Sequence, residues 1–460
     1  MTKQCSIIDY YSKRIVITLL LSLFFTSGGL FAQTSLDTYI EEGLTNNEGI
    51  KQNKIRLQKN INALKEAKAL FFPALSVGGS YLHADGGRMI ELAIGDMLNP
   101  VYSTLNELTG SQKFQDVENM SVQMNPENFY DARIRLSMPI YNAEIFYNHK
   151  INKSMLSMQE IEALIYKREL IKEIKTAYYM YCQAYKSISI RENGIALAKE
   201  NFRINQSLYD NDKVNYTSVL RSKNEVTKAE EALFTAQRIV NDCQSYFNFL
   251  LNKPFDSQIA IEEKTYLPIM FSTSDNVEQR EELKKMGIAT EIYHLNKSVA
   301  QSYLMPKVGA FVDFGSQAEN WKFNNKSRYY MLGVSLEWTF SLGGGNSYKV
   351  KQAKADIALI ESESSQIKKQ LELQLLNTQN AYDESLNSYK SAQSQQAAAK
   401  RYYEDIAKAY REGQALYIEL LEAQNQFIDT ELQLNISLYN VYIRQAEKER
   451  ADASFDLSKF

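Results

Sequence analysis

The run Gly343-Gly344-Gly345-Asn346 stands between an alternating, strand-like pattern and a long helical one, the place where a phosphate-binding loop would sit. It lacks the Gly-Lys-Ser/Thr ending that brings a lysine and a hydroxyl to a nucleotide. A plain strand-to-helix turn accounts for it better. The histidines His83, His149 and His294 are isolated from one another and from cysteine, so no zinc spacing exists. There is no Gly-x-Ser-x-Gly elbow and no paired-carboxylate context for acid–base work. These residue types predict a protein that is not an enzyme and uses no cofactor or metal. The chemistry, if any, must come from how long elements are assembled.

Composition narrows those elements. The 460 residues carry a formal charge of −3, with no basic excess to suggest nucleic acid. Only 7 prolines fits long uninterrupted helices. Lys13 and Arg14 precede the apolar run Ile15–Phe25, and small residues lead to a cleavage site after Ala32. Residues 1–32 therefore read as a signal peptide, since the run is short for a bilayer span. No apolar run of 18 residues follows, so an exported chain of this kind is either soluble outside the cytoplasm or a β-barrel. Cys5 is lost on cleavage. Cys182 and Cys243 could pair only if two helices aligned them, and two buried inert thiols is the simpler reading.

The pattern along the mature chain is built twice. Residues 33–253 form a first repeat, 254–275 a linker, and 276–460 a second repeat. In the first, a helical periodicity over ~36–71 stops at Phe72-Pro73. A strand of period two follows over ~74–84, then a long loop, 86–130, and a second strand over ~131–141. In that second strand Ile134, Leu136, Met138 and Ile140 alternate with Arg133, Arg135 and Ser137. The second repeat has a helix over ~276–304, strands over ~307–315 and ~329–340, and a shorter loop. Strands of about 9–11 residues with one apolar face match transmembrane barrel strands. A soluble sandwich would need something to cover that face. Four strands cannot close a barrel alone, so closure needs several chains.

Each pair of strands is followed by a helix without proline, ~143–208 or ~347–410, about 100 Å long at 1.5 Å per residue. A tip then turns the chain back into a shorter helix. The tips, ~209–218 and ~410–419, correspond at an offset of 201 residues: Tyr209 with Tyr410, Tyr216 with Tyr417, Leu220 with Leu421. Two short helices end to end equal one long one, so each repeat predicts a column of uniform height. In the second long helix Ile360, Ile367, Leu371, Leu375 and Tyr382 recur with heptad-like gaps, a stripe that must pack laterally.

The twofold repeat, the strand–helix junctions LSMPIYN (136–142) and SLEWTFSLGGGN (335–346), and the tip AYREGQALYIELLEAQ (409–424) together resemble the TolC family of outer-membrane efflux channels. The likeness covers about residues 35–452. It implies a mostly α fold with a transmembrane β portion: four strands per chain completing a 12-stranded barrel in a homotrimer, continued by a long periplasmic α-helical barrel of coiled-coil-like hairpins. It implies an outer-membrane location among lipid, and a passive exit duct. A periplasmic adaptor (membrane fusion) protein and an inner-membrane RND or ABC transporter would be its partners, for efflux or type I secretion. The alternative is a periplasmic coiled-coil scaffold or surface adhesin without transport, which has no use for four lipid-facing strand faces.

The resemblance also carries residues over. Glu419 and Glu422 fall on two acidic ring positions at the periplasmic gate, where the family has Asp; as first-turn acids they would equally complement a helix dipole. A threefold ring of carboxylates favours cations. Tyr410 falls on the position that bonds to the neighbouring hairpin when the gate is closed, with Thr217 and Ser218 on the other latch positions. Ala415 replaces the usual basic partner, and Ser218 stands where Asp is common. Gly413, and in the first tip Asn211 and Asp212, occupy the turn that would meet the adaptor; local turn chemistry explains them too. Loop 86–130 is expected on the extracellular side, folded over the mouth.

Overall fold

The computed structural model describes residues 36–125, 127–261, 277–340 and 342–457. The expected signal peptide, Cys5 and most of the expected linker lie outside them. In chain order the elements are α1 (Leu36–Asn46), α2 (Glu48–Ala69), β1 (Ala74–Leu82), β2 (Met89–Leu92), α3 (Ile94–Thr109), β3 (Met120–Gln123), β4 (Phe129–Tyr141), α4 (Ala143–Asp210), α5 (Tyr216–Leu251), α6 (Glu281–Gln301), β5 (Lys307–Glu319), β6 (Arg328–Glu337), α7 (Gly345–Arg411) and α8 (Tyr417–Ala451). They fall into two compact units, one within Met1–Arg56, Gln159–Met286 and Glu363–Phe460, the other within Leu57–Met158 and Gly287–Ser362.

The second of these units holds an antiparallel sheet of order β1-β4-β5-β6. Its register aligns the alternation foreseen in each strand. Leu75, Leu136, Val312 and Leu332 form one cross-strand row, and Val77, Ile134, Phe314 and Tyr330 the next. Most of this face is open: Val77 is 80% exposed, Leu332 76% and Tyr330 80%. The other face is polar. There Arg135 lies opposite Asp313 and donates to it from Nε (2.7 Å) and Nη2 (2.6 Å), the fork-to-carboxylate geometry of a strong charged pair. β1 and β6 are edge strands. β5 runs four residues past its expected end, while β6 stops at Glu337, before Trp338 and Phe340. At the β5–β6 turn Trp321 stacks between Tyr81 and Tyr130, each 5.4 Å away.

At the opposite ends of the strands the chain enters its long helices. Asn142 caps α4: its Oδ1 accepts from the N–H groups of Glu144 (3.0 Å) and Ile145 (3.4 Å). The glycine run at 343–345 turns β6 into α7, with Gly344 at φ 69°.

The stretch expected as a loop over 86–130 is folded. β2 and β3 pair antiparallel. α3 is laced to the segment beside it by two asparagines seven residues apart. Asn99 exchanges both amide hydrogen bonds with the backbone of Val117 (3.0 and 2.8 Å), and Asn106 does the same with Phe114 (2.7 and 3.0 Å). Asn119 Oδ1 accepts from the first-turn amides of Gly95 and Asp96. Pro100 inside α3 and strands of four residues hide this structure from a periodicity argument.

In the helical unit, the core joins Tyr39 and Ile40 of α1, Leu170 to Cys182 of α4, Phe247 and Leu251 of α5, and Tyr442 of α8. The helix expected over 36–71 is interrupted at Asn47. Its side chain donates to the Leu250 carbonyl (2.9 Å) and accepts from Gly49 N–H and Tyr166 Oη. Neither Cys182 nor Cys243 is in a disulfide. A buried ionic cluster closes one region of this unit. Arg280, 2% exposed, donates to both oxygens of Glu282 and to the Ala451 carbonyl; Arg450 donates to Glu282 (2.6 Å) and Glu169 (3.1 Å). Among the described residues no helix is long and apolar enough to cross a membrane.

Candidate functional site: the two helical tips

The two turns have the same backbone. In the first, Asp212 N–H donates to Tyr209 O (2.9 Å) and Lys213 N–H to Leu208 O (2.8 Å). In the second, Gly413 N–H donates to Tyr410 O (3.0 Å) and Gln414 N–H to Ala409 O (2.9 Å). This is the Schellman closure, which needs a left-handed residue. Asp212 adopts it at φ 55° and Gly413 at φ 75°. Asp is among the few non-glycine residues that tolerate it. Asn211 donates from its side chain to Ser207 O (2.7 Å), satisfying one of the last carbonyls of α4. All three turn residues are exposed. Across each turn a tyrosine pair packs: Tyr209 on Tyr216 at 5.3 Å, Tyr410 on Tyr417 at 5.9 Å.

The surroundings of the two tips differ. Tyr410 is 5% exposed and Leu421 6%, whereas Tyr209 is 39% exposed, Tyr216 54% and Leu220 51%. The second tip is buried against α4. Ala407, Tyr410 and Leu420 pack there with Ile204, Leu208 and Ala415. Two polar contacts are sealed in with them. Tyr410 Oη donates to Asn205 Oδ1 at 2.6 Å, and Asn201 donates from its amide to Gln424 Oε1. Burial pushes the Tyr410 phenol up and that of Tyr417 up to about 12. Ala415, where the resemblance implies a missing base, is part of this apolar packing.

Thr217 is exposed and Ser218 half-buried; neither side chain bonds to Tyr410. The partner of Tyr410 on the first hairpin is Asn205, on the helix before the turn. Asn201 and Asn205 were the residues that pattern reading passed over. Their trace in the sequence is two amides four apart on the inner stripe of α4, beside Ile204 and Leu208.

Glu419 and Glu422 are both exposed. Glu419 Oε2 accepts from the Leu416 N–H at 2.7 Å, capping the first turn of α8, a duty the Leu416 side chain cannot share. Glu422 lines an open groove of about 780 Å³ with Arg221, Leu421, Asn425 and Asp429. Among the described residues no group of three or more His, Cys, Asp or Glu side chains could hold a metal ion.

Residues 274–449 match the family of outer membrane efflux proteins. No curated protein sequence matches the chain. Among solved structures, VceC of Vibrio cholerae, an outer membrane protein, is 14% identical over 91% of this chain and 95% of its own, with a TM-score of 0.72. The CmeC outer membrane channel of Campylobacter jejuni is 14% identical over 92% and 88% (TM-score 0.72). The open state of the MtrE outer membrane channel of Neisseria gonorrhoeae is 13% identical over 91% and 88% (TM-score 0.69). Residues 274–449 thus match the outer membrane efflux protein family, and over nine-tenths of its length the chain has the fold of these outer-membrane channels.

Proposed function

We propose that the chain is the outer-membrane duct of a tripartite efflux or type I secretion system. Three copies close a twelve-stranded barrel in the outer membrane, and their helical hairpins form a tube in the periplasm. A periplasmic adaptor and an inner-membrane pump of the RND or ABC type deliver the substrate; the duct is passive. The observation that carries this reading is the four-stranded sheet, whose apolar face is open and whose edges β1 and β6 are unpaired. Water tolerates neither a bare apolar face nor a free edge of this length, while lipid covers the first and closure removes the second.

The tips support a gate at the periplasmic end. Tyr209, Tyr216 and Leu220 are exposed where Tyr410 and Leu421 at the second tip are buried and Tyr417 is half-buried, so the second hairpin of a neighbouring copy is the natural cover for them. The Tyr410–Asn205 and Asn201–Gln424 contacts hold the two hairpins of one chain together, and Thr217 and Ser218 face the next copy. Because Glu419 is engaged at its own helix end, Glu422 supplies most of the acidic ring. Gly413, Asn211 and Asp212 present the turn to the adaptor.

The test is reconstitution of the full mature chain. Extraction only by detergent, a trimer that runs as one band without boiling, and single-channel conductance in planar bilayers are expected. Recovery in the soluble periplasmic fraction would sink the duct.

A further inference from the structure

The insertion between β1 and β4 carries apolar surface that the duct leaves unused. On α3, Ile94, Met97, Val101 and Leu108 are 36%, 75%, 52% and 79% exposed. Their gaps of three, four and seven residues put them on one heptad-type stripe. This stripe is not a helix face awaiting its own core. The opposite side of α3 is already anchored through Asn99 and Asn106. Nearby in sequence, the β2–β3 ribbon sets Ile90 opposite Val122 and Leu92 opposite Met120 on one face, and all four are exposed. A two-stranded ribbon with a bare apolar face is marginal in water, so the insertion requires a cover.

The charge of the insertion argues against lipid as that cover. Residues 83–128 contain seven acids and two bases. A helix lying in a membrane interface carries Lys and Arg on its polar side, whereas the polar side of α3 presents Asp96, Ser103 and Glu107. Its place in the sheet argues for another copy. The pair Leu82–Phe129 sets the insertion at the strand ends away from the helix junctions. It leaves from β1, an edge strand, and so from the seam that barrel closure joins to the next chain. Three copies bring three identical stripes to one opening.

We propose that the Ile94–Leu108 stripes of three copies of α3 pack against one another and plug the outer mouth of the barrel. This rests on the trimeric duct. The test is cysteine cross-linking in outer membranes, with the otherwise unchanged chain as blank. Met97→Cys and Leu108→Cys should shift the denatured band from monomer to dimer under a short bis-maleimide, and Ser103→Cys, on the polar side, should not. The trimer band is read in parallel. A trimer that persists without cross-links at positions 97 and 108 overturns the plug, and so does quenching of a bimane at Met97→Cys by brominated phospholipid. Absence of any trimer would instead defeat the duct itself, and the plug with it. In bilayers, Leu108→Glu should raise the single-channel conductance; an unchanged conductance also counts against the plug.

Discussion

Tyr410 Oη donates a 2.6 Å hydrogen bond to Oδ1 of Asn205, a residue with no exposed surface on the first hairpin. Removing the hydroxyl leaves that oxygen unsatisfied, which costs about 1–3 kcal/mol. Tyr410→Phe should therefore reduce amide-exchange protection in the last turn of α7 roughly ten- to hundredfold. Adding Asn205→Leu should restore most of it, because both polar partners are then gone. If the double variant is no better than Tyr410→Phe, the bond is not what holds this tip.

Acid should loosen the helical unit through Glu282. Burial alone would raise its pKa. The hydrogen bonds and charges of Arg280 and Arg450 outweigh that, and hold it at about 2 against an ordinary 4.5. A carboxylate depressed on folding stabilises the native state above its unfolded pKa, and the benefit disappears as pH falls through the folded one. The stabilisation, on the order of 3 kcal/mol at neutral pH, should be lost between about pH 5 and 2. Denaturant melts followed by circular dichroism should show the slope, and Glu282→Gln should flatten it.

The turns separate backbone strain from contact. A Cβ at Gly413 would meet nothing within 4 Å, but φ is +75° there. Gly413→Ala should cost about 1–2 kcal/mol from conformation alone. Asp212→Gly, at the equivalent place, should be close to neutral. Paired thermal melts decide this; equal effects at the two sites would refute the equivalence.

On the sheet, Leu332→Arg puts a charge on the open apolar face. In lipid this costs about 2–4 kcal/mol near the midplane. Loss of membrane-inserted trimer is expected, while Ser76→Arg, on the polar face, should insert normally.

At the proposed gate, Glu422→Ala should reduce cation preference in planar bilayers more than Glu419→Ala does. Reversal potentials in a salt gradient measure it. Equal effects would place both acids on the pore wall.

Much of this was legible in the residues. Period-two alternation located all four long strands, because one face had to be apolar throughout. The absence of proline and the offset of 201 located both hairpins and their turns. The insertion was missed because its strands are too short for periodicity and its helix contains Pro100. The tip contact was missed because Asn201 and Asn205 act through distance: nothing near residue 205 announces residue 410. The buried position of Arg280 was equally hidden, since the Ala451 carbonyl that it bonds, and Arg450, which shares Glu282 with it, come near only in the fold.

The tip that is covered and the tip that is bare belong to one chain, so in the proposed ring each copy would offer its neighbour two different surfaces. Such a contact is head-to-tail rather than self-complementary. Head-to-tail contacts end only when the turn from one copy to the next divides a full circle. The number of copies is then a property of an angle rather than of an affinity. A substitution at Tyr216 or Leu220 that tilted this contact would change the stoichiometry or leave the ring unclosed, even with the strength of each contact preserved.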